Sequence, residues 1–192
     1  MYLVIFGPPG AGKGTQAQYI SEHFEIPHIS TGEIFRENIK NDTPLGVEAK
    51  RYTASGNLVP DSLTNAMVRD RIQKADCSRG ALLDGYPRTI DQAREFDKML
   101  AEKGSQLSAV INLKVPDGEI VQRLSKRGRS DDNPEAIKRR LQIYHNQTEV
   151  IVGYFRDRGL LHDIYGVGNI QEISKQILDT LDKVTHKNEQ HS

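Results

Sequence analysis

The sequence predicts an α/β fold, a three-layer αβα arrangement in which helices cover both faces of a five-stranded parallel sheet. Two observations carry that expectation. Short apolar runs alternate with longer stretches of helical period along the 192 residues. A glycine-rich loop also joins the first run to the first helix, as a β-loop-α unit with right-handed crossovers requires.

The first run is Tyr2-Leu3-Val4-Ile5-Phe6, and it leads directly into Gly7-Pro8-Pro9-Gly10-Ala11-Gly12-Lys13-Gly14-Thr15. Glycines there let successive backbone N–H groups turn inward at an anion. The helix N-terminus adds partial positive charge and Lys13 a full one. Gly7 and Gly12-Lys13 satisfy the G-x-x-x-x-G-K pattern of the phosphate loop, while Gly14 stands where Ser or Thr usually follows and Thr15 comes one residue late. A loop of this kind holds a polyphosphate, so binding of a nucleoside triphosphate is expected.

The second run is Ile26–Ile29. The stretch from Thr31 to Ser62 is too long for one crossover helix and carries breakers at Pro44, Gly46, Gly56 and Pro60, which suggests a small helical insertion. The third run, Ala81–Asp84, ends in Asp84-Gly85-Tyr86-Pro87-Arg88. An aspartate at a strand end beside a phosphate loop is placed to hold a Mg²⁺-bound water. The fourth run, Ala109–Val115, is nearly continuous in apolar residues, as in a strand buried on both faces. A short polar segment, 127–133, is dense in charge. The fifth run is Leu161–Tyr165, and Ile170, Ile173, Ile177, Leu181 and Val184 then recur at helical steps as one buried stripe. The polar end, Lys187 to Ser192, is expected to fray. Both irregular segments fall at the C-terminal edge of the sheet, where open α/β folds bind ligands, and are candidate covers.

Composition narrows the function. The 26 basic residues balance the 26 acidic ones, so no global field gathers nucleic acid or anionic membrane. The aromatic residues are too dispersed to stack on single strands, and the six histidines show no metal spacing. One cysteine, Cys77, can form neither an internal disulfide nor a zinc site alone. It reads as a small apolar residue in a reducing compartment, with a reactive thiol as the lesser alternative. No run is long enough to span a membrane, and the first strand leaves no room for a signal peptide. A cytoplasmic monomer is the expectation. Against this neutral background, the segment from Arg123 to Arg140 holds seven basic residues and three acidic ones. Lys126, Lys138 and Arg139 read as a solvated helix face; Arg123, Arg127, Arg129 and Arg140 read as phosphate ligands, since guanidinium forks bind phosphate oxygens bidentately.

The phosphate loop through Gln16, then Ser30-Thr31-Gly32-Glu33, Leu58-Val59-Pro60, Asp84-Gly85-Tyr86-Pro87-Arg88, Lys126-Arg127-Gly128 and Asp131-Asp132-Asn133 occur in order. In this the chain closely resembles the adenylate kinase family over all but its C-terminal tail, including the shifted threonine. The resemblance implies a phosphate-loop NTPase fold with a core of residues 1–29, 63–126 and 134–192, a monophosphate-binding insertion at 30–62 and a short lid at 127–133. It implies Mg²⁺-dependent phosphoryl transfer between ATP and AMP, giving ADP, by positioning and charge stabilisation rather than by a protein nucleophile. Gly10, Ala11, Gly12, Lys13, Gly14 and Thr15 would cradle ATP phosphates, with Arg127 in the lid and Gly168 at the adenine. Thr31, Arg36, Asn57, Leu58, Val59, Gly85, Tyr86, Pro87, Arg88 and Gln92 would hold AMP. Arg129 and Arg140 would bridge the transferring group, with Lys13, Arg88 and Arg123 also catalytic and Asp84 on the metal through water. A lid this short leaves no room for the four-cysteine zinc site of many bacterial members, so no structural zinc is expected, and closure of the lid, familiar from adenylate kinases, would rest on arginine–phosphate contacts. Thr31 suits AMP, where the similar UMP-CMP kinases usually carry Ala. The competing readings are a kinase for UMP or CMP and a non-catalytic nucleotide switch; the Asn-Lys-x-Asp motif of GTPases does not occur.

Overall fold

Alternation within the strands builds two apolar layers, one on each face of the sheet. In β1 (Tyr2–Phe6), Leu3 and Ile5 face one way and Tyr2, Val4 and Phe6 the other. The computed structural model describes residues 1–129 and 132–189, so Ser130 and Asp131 of the expected lid and Gln190 to Ser192 of the expected tail lie outside the described residues. Within them, β1 is joined by β2 (His28–Ser30), β3 (Ala81–Asp84), β4 (Leu107–Lys114) and β5 (Leu161–Tyr165). All pairs are parallel, in the order β2-β3-β1-β4-β5. Val4 at the centre lies between Leu83 and Val110.

Helices α1 (Lys13–Phe24), α6 (Asp117–Arg127) and α9 (Ile170–Glu189) cover the Leu3/Ile5 face with Ile20, Ile120, Leu124 and Ile177. Helices α4 (Asp61–Ile72), α5 (Ile90–Glu102) and α8 (Glu149–Asp157) cover the other with Val68, Phe96 and Phe155. Two further helices, α2 (Thr31–Lys40) and α3 (Pro44–Thr53), fill the region read as an insertion and close a small core of Phe35, Ala49 and Val59. Ser30 caps α2 and Glu33 sits three residues on, a capping-box spacing; the Ser30 hydroxyl accepts from the Glu33 N–H. Gly46, expected as a breaker, lies inside α3. Its missing side chain is what lets α3 press on α2, since a Cβ there would fall 2.1 Å from the Asn38 carbonyl oxygen. Finally α7 (Pro134–Ile143), capped by Asn133, runs through a π-turn at Tyr144–Thr148 into α8.

Four expectations need correction. β2 starts at His28 rather than Ile26, because Pro27 has no N–H to give a ladder; its carbonyl still accepts from Leu82. β4 starts two residues early at Leu107, which pairs with Tyr2 across a register shift, and it stops at Lys114, before Val115 and Pro116. The apolar stripe of α9 is buried at Ile173, Ile177 and Leu181, but Ile170 is exposed at the first turn, past the edge of the layer. Helical backbone also continues through Lys187 to Glu189, where fraying was expected. Among the described residues no helix is long and apolar enough to cross a membrane.

Candidate active site

The phosphate loop is a backbone device, and its surroundings show why the sequence needs glycine there. Gly10 has φ of 82°, and a Cβ on it would lie 2.9 Å from the Leu124 side chain, so the loop rests directly on α6. Gly12, with φ of 94°, is the N-cap of α1. No side chain caps that helix and no acid stands in its first turn, so its leading N–H groups point at the cleft with the partial positive charge undiminished. Lys13 Nζ donates to the carbonyls of Gly7 and Pro8, both at 3.0 Å. Burial pushes its pKa down to about 8; Asp84 works against that, while Arg88, Arg140 and Arg127 add to it.

Those neighbours belong to one cleft of about 900 Å³. Its floor is Gly10, Gly12, Lys13, Gly14 and Thr15. Arg36, Leu58, Gly85, Pro87, Arg88, Arg123, Arg127, Arg129 and Arg140 line the rest, together with Asp84. Ala11, Thr31, Asn57, Val59, Tyr86, Gln92 and Gly168 are not part of its lining. Tyr86 packs edge-on against Phe96 in the core, and Val59 belongs to the small core of the insertion. The Thr31 hydroxyl donates to the Gly85 carbonyl at 3.0 Å. Gly168, at φ of 127°, sits in the turn between β5 and α9 with open space where a side chain would stand.

Asp84 is buried at the end of β3. Burial alone would raise its pKa, but His28, Lys13 and Arg88 outweigh that and hold the carboxyl below its ordinary range. His28 Nε2 stands 3.4 Å from Asp84 Oδ2 without an aligned hydrogen bond. Arg88 turns its Nε back to the Gly85 carbonyl at 2.8 Å. Burial and the like charges of Arg140 and Arg36 lower its pKa, with Asp84 opposing.

The arginine segment is organised by an acid that composition counted only as a charge. Asp132 has a side chain 1% exposed and accepts from Arg127 Nε at 2.7 Å, Arg127 Nη2 at 2.6 Å and Arg140 Nη1 at 3.1 Å. Arg129 contributes its backbone N–H to the same carboxylate at 3.3 Å. Arg123 straps the site from behind, donating to Glu119, to the Ala11 carbonyl and to the Gly166 carbonyl. Arg139, read as a solvated face, is exposed, and it reaches across to Asn57 Oδ1 with Nε and Nη2. Sequence reasoning also passed over Asp61, which binds Thr89 and Gln92. Among the described residues no group of three or more His, Cys, Asp or Glu side chains is placed to hold a metal ion.

A parallel sheet with a phosphate loop after β1, and a wall of arginines lining the same cleft, defines a phosphotransferase of the nucleoside monophosphate kinase class. The comparisons with known proteins narrow this further. The family model described as Adenylate kinase matches residues 5–160. The chain is 50% identical over 188 residues to an adenylate kinase of Nocardioides sp. (strain ATCC BAA-499 / JS614), covering 96% of this chain and 98% of that one. It is 50% identical to an adenylate kinase of Renibacterium salmoninarum, covering 95% and 96% respectively, and 47% identical to one of Leptospira biflexa, covering 93% and 98%. The chain belongs to the adenylate kinase family.

Proposed function

We propose that this chain moves a phosphoryl group reversibly between ATP and AMP to give two ADP. One observation carries the reading: the cleft that holds the α1 N-terminus and Lys13 is also lined by Arg36, Arg88, Arg123, Arg127, Arg129 and Arg140. That is more positive charge than one polyphosphate chain needs, and a second phosphate accounts for the surplus.

In this reading Gly10 to Thr15 hold the ATP phosphates through backbone N–H groups, and Lys13 neutralises charge on the transferring group. Arg127 and Gly168 complete the ATP subsite, Gly168 through its backbone at the base. Thr31, Arg36, Asn57 to Val59, Gly85 to Arg88 and Gln92 form the AMP subsite. Arg88, Arg123, Arg129 and Arg140 stay charged throughout and stabilise charge spreading over the equatorial oxygens, while the two nucleotides are held in line. Residues 30–62 act as the monophosphate-binding unit and 127–133 as the lid over the core formed by 1–29, 63–126 and 134–192.

Adenylate kinases use Mg²⁺ with ATP, and Asp84 fits it: it is buried, ionised and close to the phosphate loop. Mg²⁺ keeps much of its water shell and takes few protein ligands, so a single carboxylate acting through water suits it. Bound there, the metal would neutralise phosphate oxygens of ATP. Asp84 would accept hydrogen bonds from that water, and Lys13 and Arg88 keep it ionised. ATP, AMP and ADP are the expected partners, and the chain acts as a cytoplasmic monomer.

The test is calorimetry with ATP, AMP and an analogue joining two adenosines through five phosphates, alongside ADP formation from AMP, UMP and CMP at equal concentration. Two nucleotide sites per chain and preference for AMP are expected. A single site, or preference for a pyrimidine monophosphate, overturns the assignment.

A further inference from the structure

Asp61 opens α4 and spends both carboxylate oxygens on the segment that follows Arg88. Its Oδ2 accepts from the Thr89 hydroxyl at 2.8 Å, and its Oδ1 accepts from Gln92 Nε2 at 2.7 Å. On the other side of the same amide, Gln92 Oε1 accepts from the Arg88 backbone N–H at 2.7 Å. Gln92 is buried, so water does not compete for these bonds. A free glutamine amide can turn by half a rotation and exchange its oxygen for its nitrogen. Here that rotation would bring the amide oxygen against an acceptor-only carboxylate and the amino group against an N–H donor. Both contacts would become repulsive, so the amide has one orientation. What it has left to offer is one N–H and one oxygen lone pair, in fixed positions.

We propose that Asp61 is a specificity-determining positioning residue, which locks the Gln92 amide so that the monophosphate subsite accepts adenine and rejects hypoxanthine and guanine. The inference rests on the reading of Gln92 as part of the AMP subsite, with its amide, one donor and one acceptor, on the adenine edge. Adenine presents an amino donor beside a ring-nitrogen acceptor, which complements the remaining lone pair and N–H. Hypoxanthine and guanine present a carbonyl acceptor beside a ring N–H donor at the same two places, the inverse pattern. An amide free to turn serves both patterns; a locked one leaves a buried donor facing a donor, the situation from which hydrogen-bonding sites draw their largest discrimination. A second tie steadies α4 against the same loop. Asn65 Oδ1 accepts from the Tyr86 hydroxyl at 2.7 Å, so helix and loop are fastened on both sides of the amide.

The experiment measures kcat and KM for AMP and IMP at saturating ATP, and KM for ATP, in the parent chain, Asp61→Ala, Asp61→Asn and Asn65→Ala. Asp61→Ala is expected to raise KM for AMP and to shrink the AMP-over-IMP preference about tenfold, leaving KM for ATP unchanged. Asp61→Asn, which keeps an acceptor but no charge, shifts the preference the same way by about threefold and serves if the alanine variant does not fold. Asn65→Ala loosens the same two segments without touching the amide, so it lowers the melting temperature but keeps the preference. An unchanged AMP-over-IMP ratio in both Asp61 variants overturns the inference, as does an equal change in Asn65→Ala. A parent chain that prefers UMP or CMP to AMP overturns the reading beneath it instead, whatever the variants do.

Discussion

The phosphate loop and the arginine segment both turn positive charge toward one cleft, and they are held there by opposite means. The loop relies on backbone: positive φ at Gly10 and Gly12, a helix start without a cap or an acid, and a lysine hydrogen-bonded to carbonyls of its own loop. Its charge is preorganised by the chain that carries it. The arginine segment relies on side chains, and there Asp132 gathers Arg127, Arg140 and the backbone of Arg129 around one buried carboxylate. Its charge is partly neutralised within the protein. On the proposed reading, the first region would recognise phosphate by shape, and the second would hold long-stemmed cations in one place for a phosphate. The expected costs of disturbing them differ accordingly.

The largest effect should come from the loop. Lys13→Met removes the full charge from a site that cannot replace it, and kcat is expected to fall about 10³-fold, the upper range for loss of one transition-state donor. Stability should move the other way at neutral pH. Because the folded-state pKa is pushed down to about 8 by burial, the folded protein binds fewer protons than the unfolded chain between pH 8 and the ordinary lysine value of 10.5. The parent therefore gains stability as pH rises through that window, and any advantage of the variant is greatest below pH 8 and shrinks toward pH 10.5. Urea unfolding below, within and at the top of that window checks the sign. A variant whose relative stability grows with pH would mean that Lys13 is not a desolvated cation.

These two regions also differ in how much of them could be read from residues alone. The phosphate loop was legible because it is a local backbone code: glycine spacing, a strand before and a helix after. The three inner strands, β1, β3 and β4, were legible for a related reason, since central parallel strands are apolar on both faces. The error at β2 arose because an apolar run, Ile26 to Ile29, contained a proline that cannot donate to a ladder. The error at Ile170 arose because periodicity marks a helix face without marking where the sheet beneath it ends. Side-chain ties of long range carry no periodic signal at all. Arg139 and Asn57 are 82 residues apart, Asp61 and Gln92 are 31 apart, and nothing in their residue types distinguishes them from a solvated surface. Asp132 stood within a recognised motif, yet its work as an organiser became visible only when three arginines were seen to converge on it.

A smaller effect is expected from the second region, and it tests whether Asp132 orients the arginines or merely neutralises them. Burial would raise the pKa of Asp132, but Arg127, the Arg129 N–H and Arg140 together hold it below its usual range, so it is ionised at neutral pH. The stability it contributes is present above the ordinary carboxylate pKa and is lost as pH falls through the lowered folded value. Asp132→Asn keeps the shape and removes the charge. If Asp132 orients the guanidinium groups, kcat falls about tenfold while KM for ATP does not rise, because the released arginines still attract phosphate. A KM for ATP that rises as much as kcat falls would show instead that the arginines bind ground state and transition state alike, and the contrast with the loop would fail.

The smallest effect sharpens the contrast from the side of folding. Asn133 stands next to Asp132 and caps α7, its Oδ1 accepting from the Ala136 N–H at 2.8 Å. That helix carries Arg140 to the cleft, so its first turn sets the starting point of that part of the arginine wall. Asn133→Ala should cost about 1 kcal/mol of stability, the usual worth of an N-cap, readable as a lower urea midpoint at unchanged slope. The loop helix α1 has no side-chain cap to lose, which on the proposed reading leaves its N–H groups for phosphate, whereas the capped α7 would hold arginines rather than bind anions with its own backbone. Activity of Asn133→Ala should accordingly stay within about threefold of the parent, since a fraying first turn shifts the wall without removing a charge. A loss approaching that of Lys13→Met would mean that the α7 N-terminus itself touches the transferring phosphate.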